Sequence, residues 1–160
     1  MEPLSMSEEE AKALIDSAIV RLIQTDSALL ERDVSERSLS HRLAHYISLD
    51  VAIQLPLTVD CEYNRHFGDP KRLQLPPREA LDREIRATTV FPDIVVHERG
   101  SDENNLIVLE LKKVGEDIQY DALKLQAFRE ELGYKHAAHV ILGLTTNKEI
   151  VSEVIWIPLD

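Results

Sequence analysis

Two apolar segments of this 160-residue chain carry charges that a packed core tolerates only for a reason. One reads Val90-Phe91-Pro92-Asp93-Ile94-Val95-Val96-His97. The other reads Asn105-Leu106-Ile107-Val108-Leu109-Glu110-Leu111-Lys112-Lys113. Burying an unpaired charge is costly, so Asp93, Glu110 and Lys112 point to chemistry rather than packing. The stretch between the segments, Arg99-Gly100-Ser101-Asp102-Glu103-Asn104, is rich in turn formers. An antiparallel hairpin centred near Ser101 and Asp102 sets Asp93 opposite Glu110 or Leu111. Directly opposed side chains have Cβ atoms about 4.5–5.5 Å apart. Glu110 and Lys112, two residues apart, share a strand face. Such a hairpin brings two carboxylates and one ammonium together, and a slip of one residue separates them.

Two carboxylates this close repel, and one keeps its proton unless a cation comes between them. Oxygen donors with no cysteine nearby suit a hard ion, Mg²⁺ or Mn²⁺ rather than zinc. Such an ion polarises a phosphoryl oxygen and lowers the pKa of a bound water. Lys112 is then available to orient that water or to stabilise charge in a phosphorane-like transition state. The reaction class that fits is metal-assisted hydrolysis of a phosphodiester.

Pro92-Asp93, followed after the turn by Glu110-Leu111-Lys112, resembles the PD-(D/E)XK signature of the restriction-endonuclease-like nuclease superfamily. Val59-Asp60-Cys61-Glu62-Tyr63-Asn64-Arg65 is similar to a stretch in bacterial members. The resemblance covers about residues 34–144. It implies an α/β fold with a central mixed sheet and an αβββαβ core. An extra N-terminal helix over 7–24 and an extra C-terminal strand complete a single domain, 1–160. It further implies Asp93 and Glu110 as ligands of Mg²⁺ or Mn²⁺, helped by the carbonyl of Leu111. Lys112 becomes the catalytic lysine and Glu36 an accessory acid near the metal. The implied activity is that of a nuclease, a hydrolase acting on nucleic acid, DNA ahead of RNA. The alternative is a non-catalytic domain of the same fold that binds or assembles with a partner protein. A plain α/β domain with an accidental motif ranks last, because it leaves three charges without a role.

The elements that must position these residues are legible from periodicity. Ser7 with Glu10 forms a capping box, and Ala11, Leu14, Ile15, Ala18, Ile19 and Leu22 follow at helical spacing. This predicts a helix over 7–24, then a polar join with Asp26, Ser27 and Asp33. A second helix over 35–48 turns Leu39, Leu43, Tyr46 and Ile47 inward. Glu36 lies in its first turn, where an acid also simply complements the helix dipole. Arg37, His41 and His45 form one stripe, either a solvated face or a phosphate-contacting one. Residues 57–65 read as a strand. Its Glu62 either joins the carboxylates or pairs with a base such as Arg65. From His66 to Thr89 runs a long connection with Pro70, Pro76 and Pro77 and a short helix expected over 78–86. Its Lys71, Arg72, Arg78, Arg83 and Arg86 are candidate substrate contacts, since long loops in compact domains are commonly functional or mobile. A helix over 117–132 ends at Gly133 and carries Lys124 as a further candidate substrate contact. Lys113 points away from Lys112 and reads as peripheral. Strands over 136–144 and 153–158 follow, with Trp156 in a packing role.

Composition sets bounds. The net charge of −11 opposes non-specific nucleic-acid binding. Residues 37–99, however, balance nine acids against nine bases, so a local basic groove is compatible with the acidic total. No apolar run approaches the roughly 20 residues of a membrane span, which leaves no membrane partner expected. Cys61 is the one cysteine and excludes an intramolecular disulfide. It reads as a small buried residue, and a cytoplasmic location follows as the expectation. A homodimer or a partner protein remains open.

Overall fold

The structure is a computed structural model that describes residues 2–66, 68–75 and 86–158, with the backbone alone for 86–89. The first helix, α1 (Glu8–Glu31), begins where the capping box sets it. Ser7 Oγ accepts from the Glu10 N–H at 3.1 Å, and the Glu10 carboxylate accepts from the Ser7 N–H at 2.7 Å. The helix outruns its expected end. Asp26, at φ −121°, bends it instead of terminating it. The Asp26 carboxylate accepts from Arg42 Nε at 3.0 Å and from the Tyr46 hydroxyl. The polar join is thus a kink braced by the second helix. That helix, α2 (Glu36–Ser48), starts at Ser35, whose hydroxyl accepts from the Ser38 N–H.

The strands are β1 (Thr58–Cys61), β2 (Arg72–Leu75), β3 (Arg86–Thr89), β4 (Ile94–His97), β5 (Ile107–Lys113), β6 (His136–Leu144) and β7 (Ile150–Trp156). Helix α3 (Gln119–Leu132) lies between β5 and β6. The main sheet has the order β1-β4-β5-β6-β7. Only β5 and β6 run parallel, because α3 carries the chain back across the sheet between them. The other neighbours are antiparallel. The result is an α/β fold built on a five-stranded mixed sheet.

Both faces of the sheet are covered. Ile94, Val96, Ile107, Leu109 and Leu111 pack under α1 and α2, and Val95, Val108 and Ala137 pack under α3 through Leu125 and Phe128. A strand buried on both faces leaves a charge on it little access to solvent, and this constrains Asp93, Glu110 and Lys112.

Three expectations are corrected. The connection after His66 contains a separate antiparallel ribbon, with Arg72 paired to Thr89 and Leu75 to Arg86. Alternation explains β2: Leu73 and Leu75 are buried toward α3, and Arg72 and Gln74 are exposed. The helix expected over 78–86 falls mostly outside the described residues, and Arg86 itself opens β3. The first strand stops at Cys61, because Glu62 takes a positive φ of 50°. The last strand begins at Ile150, three residues early. Among the described residues no helix is long and apolar enough to cross a membrane.

Candidate active site at the end of the β4–β5 pair

The hairpin forms in the register that opposes the two acids. Ile94 pairs with Leu109, Val95 with Val108 and Val96 with Ile107. One step beyond the last pair, Asp93 stands opposite Glu110. Asp93 Oδ2 accepts the Leu111 N–H at 2.7 Å, which fixes its carboxylate at the end of the ladder. Glu110 lies deeper, between β4 and β6, and is only 4% exposed.

Helix α3 meets this strand face with two charges of its own. Lys124 Nζ lies 2.9 Å from Glu110 Oε1, and Lys112 Nζ lies 3.0 Å from Asp121 Oδ2. Asp121 and Lys124 are three apart on the helix and so share a face. Glu110 and Lys112 are two apart on the strand. The two spacings mesh, giving two crossed ion pairs between helix and sheet. The Lys124 contact is a short ion pair to the buried Glu110 Oε1. The same ammonium donates to the Phe91 carbonyl at 3.4 Å.

Burial outweighs the Lys124 ammonium that faces the acids. Burial pushes the Glu110 carboxyl well above the ordinary glutamate range, and the nearby Asp93 adds to this against the opposing pull of Lys124. Burial also raises Asp93, although the Leu111 N–H and Lys124 pull it back. For Lys112, burial alone would favour the neutral amine. The Asp121 carboxylate outweighs it and raises the pKa, so the side chain is an ammonium. His139, beside Glu110 in the parallel register, is buried and held neutral by desolvation.

Glu36 sits at the first position of α2 and points toward the end of β5, where its carboxylate accepts the Lys113 N–H at 3.2 Å. Burial and the neighbouring Glu116 raise its pKa, and Lys112 offsets part of this. Glu36 and Asp93 border one polar cleft of about 350 Å³, together with Arg37, His41, Cys61 and Glu62. Cys61 is exposed here rather than buried, because it ends the edge strand β1 on the cleft side. Glu62 pairs with Arg37 at 3.3 Å, whereas Arg65 turns to the Asn64 carbonyl.

The remaining candidates separate. Lys71 is not a surface cation. It is 3% exposed and its Nζ lies 4.6 Å from the centre of the Tyr63 ring and 6.0 Å from that of Tyr134. Burial lowers its pKa to about 8. The Lys71 stem is drawn under the ribbon because Leu73 and Leu75 beside it seek the same α3 core. Lys124, too, is withdrawn from the surface, 14% exposed against Glu110. Arg72 is exposed on β2. Arg86 opens β3, and Arg78 and Arg83 lie outside the described residues. Lys113 pairs with Asp33 at 2.8 Å, away from the acids.

Among the described residues, no three Asp, Glu, His or Cys side chains converge to hold an ion. The chain offers the Asp93–Glu110 pair, with the Leu111 peptide beside it and Glu36 on the cleft wall. These donors fit a hard divalent cation: they are oxygens, and burial raises both carboxyls despite the Lys124 ammonium beside them. Asp121, a polar residue of the helix read over 117–132, and His139 were given no site role from the sequence. The Asp121/Lys124 spacing on a helix following the Glu110/Lys112 strand was the available signal. Comparisons with protein-family models, with characterised proteins and with solved structures return no match.

Proposed function

We propose that this chain is a divalent-metal-dependent nuclease of the PD-(D/E)XK type that hydrolyses phosphodiester bonds in DNA. The observation that carries the reading is the carboxylate pair, Asp93 locked by the Leu111 N–H and set in register with the buried Glu110, with the Lys112 ammonium next along the same face. Element order supports it. With the β2–β3 ribbon set aside, α2, β1, β4, β5, α3 and β6 follow the αβββαβ sequence of the restriction-endonuclease-like core.

Asp93 and Glu110 would hold Mg²⁺ or Mn²⁺, with the Leu111 carbonyl and Glu36 as further oxygen donors. The ion would supply Lewis-acid polarisation of a phosphoryl oxygen and a more acidic water. Lys112, kept charged by Asp121, stabilises negative charge developing on the phosphoryl group. The cleft beside Asp93 admits the substrate backbone, with Arg37 and His41 on its α2 wall. The test is a cleavage assay on single-stranded, duplex and branched DNA and on RNA, with Mg²⁺, Mn²⁺ or EDTA. Metal-dependent cutting that is lost in Asp93→Ala and in Glu110→Ala supports the reading. Absence of cutting on all substrates overturns it.

A second reading is favoured by one observation: both lysines near the acids are already paired, Lys112 with Asp121 and Lys124 with Glu110. A closed network of this kind also suits a nuclease-like domain used for assembly with a partner protein. The strongly acidic surface fits that use.

A further inference from the structure

We propose that Lys124 is a tethered cation that occupies the divalent-ion position of the Asp93–Glu110 pair and must leave it when the metal binds. The inference rests on the nuclease reading above. It concerns what this chain does with its buried carboxylates before any ion arrives.

Two acids at the end of a covered sheet need a positive charge. Lys124 brings one from α3, 2.9 Å from Glu110 Oε1, and exerts a stabilising pull on both carboxyls. Beyond Glu110, its other contact, to the Phe91 carbonyl, is long at 3.4 Å. Asp121 is already engaged by Lys112 at 3.0 Å, so it does not hold Lys124 in place. A substrate-contacting lysine would stand in the cleft, whereas Lys124 is 14% exposed and turned to Glu110. Its flexible four-carbon stem allows departure.

The consequence is competition. A divalent ion at the acids would be repelled by an ammonium 2.9 Å from Glu110 Oε1, so Lys124 lowers metal affinity while it keeps the metal-free fold intact. Mn²⁺ binding to wild type and Lys124→Gln by titration calorimetry tests this. The variant is expected to bind Mn²⁺ about tenfold more tightly, because one like charge is removed next to the ligands. Equal or weaker binding by the variant overturns the inference while leaving the metal site standing. If neither protein binds Mn²⁺, the metal reading of the acids falls and the inference falls with it.

A second measurement uses the wild-type chain alone. Reductive methylation of lysines, read by peptide mass spectrometry, should modify Lys124 several-fold faster with Mg²⁺ present than without it. The exposed Lys148 should react equally in both. Unchanged or slower labelling of Lys124 on adding Mg²⁺ overturns the displacement.

Discussion

Strand β4 has a carboxylate cluster at each end, and the two ends treat their acids in opposite ways. At the His97 end, Asp60 Oδ2 lies 2.8 Å from His97 Nε2 and 2.9 Å from Arg99 Nε, and the Arg99 fork closes on the other oxygen. Burial there would raise Asp60, but Arg99 and His97 outweigh it and bring its pKa down to about 2. At the other end, about 13 Å away along the strand, burial wins and both Asp93 and Glu110 are pushed up. At the first end the Arg99 guanidinium and the His97 imidazole hold both Asp60 oxygens. At the second, the Lys124 ammonium faces both acids. A carboxylate kept by a fold for stability looks like Asp60. On the proposed reading, Glu110 is kept for an incoming cation.

The sharpest way to break this comparison is truncation at each end. Asp93→Ala or Glu110→Ala should reduce metal-dependent cleavage on the order of 1,000-fold while circular dichroism stays native. Asp60→Ala should do the reverse, retaining cleavage chemistry per folded molecule but losing about 2 kcal/mol of stability in urea unfolding. Equal stability losses at both ends would erase the distinction.

The pH dependence should separate them next. Asp60 has a lowered pKa, so its stabilisation is complete above the ordinary aspartate value of 3.8 and is lost as pH falls toward 2. Glu110 has a raised pKa. As pH rises past the ordinary value of 4.5, the unfolded chain ionises before the folded one, and stability falls until the folded carboxyl ionises too. Glu110→Gln should therefore flatten the decline above pH 4.5 in EDTA, and Asp60→Asn should flatten the decline below pH 3.8. Thermal melts across pH read both.

Smaller effects test the lysine and the ribbon. Asp121→Asn frees Lys112 from its partner and should lower cleavage about tenfold with little change in DNA binding, because an ammonium that loses its position loses part of its effect. Arg72→Ala should leave cleavage intact and reduce the salt slope of DNA binding by about one. A fluorescence-anisotropy titration at several salt concentrations checks it. Lys71→Met, by contrast, should leave that slope unchanged, since the side chain is buried among tyrosines.

Much of the sheet was legible because its strands differ from one another in kind. The apolar runs around Ile94 and Ile107 bracket a turn-forming stretch, so pairing followed from spacing, and register to within one residue. Periodicity gave α1, α2 and α3, and capping residues gave the starts of the first two. The ribbon was not seen because β2 spans four residues between prolines, too little alternation to stand out from a loop. The extension of α1 past Asp26 was also hidden, because it depends on Arg42 and Tyr46 from another helix. In the site, Asp93 opposite Glu110 was accessible to counting. The partners were not. Which lysine meets which acid depends on how α3 lies across β5, and a helix's rotation about its axis is set by tertiary packing around Leu125 and Phe128. For the same reason Lys71 and Arg72, neighbours in sequence, end on opposite sides of the ribbon.

The segment before α1 has a bearing on how the chain folds. The Leu4 N–H is accepted by the Asn104 side chain, Lys135 Nζ donates to the Leu4 carbonyl, and His136 bonds to the Met6 carbonyl. These contacts tie residues 4–6 to partners far along the chain, at separations of 100 residues for Asn104 and 131 for Lys135. Until β6 is in place the apolar side of α1, with Leu14, Ile15, Ala18 and Leu22, lacks part of the core it packs on. Closing contacts of such long sequence separation is slow. A chain whose β6 is not yet in place would present that helix to whatever holds unfolded polypeptides, and folding would conclude as residues 4–6 dock beside the start of β6.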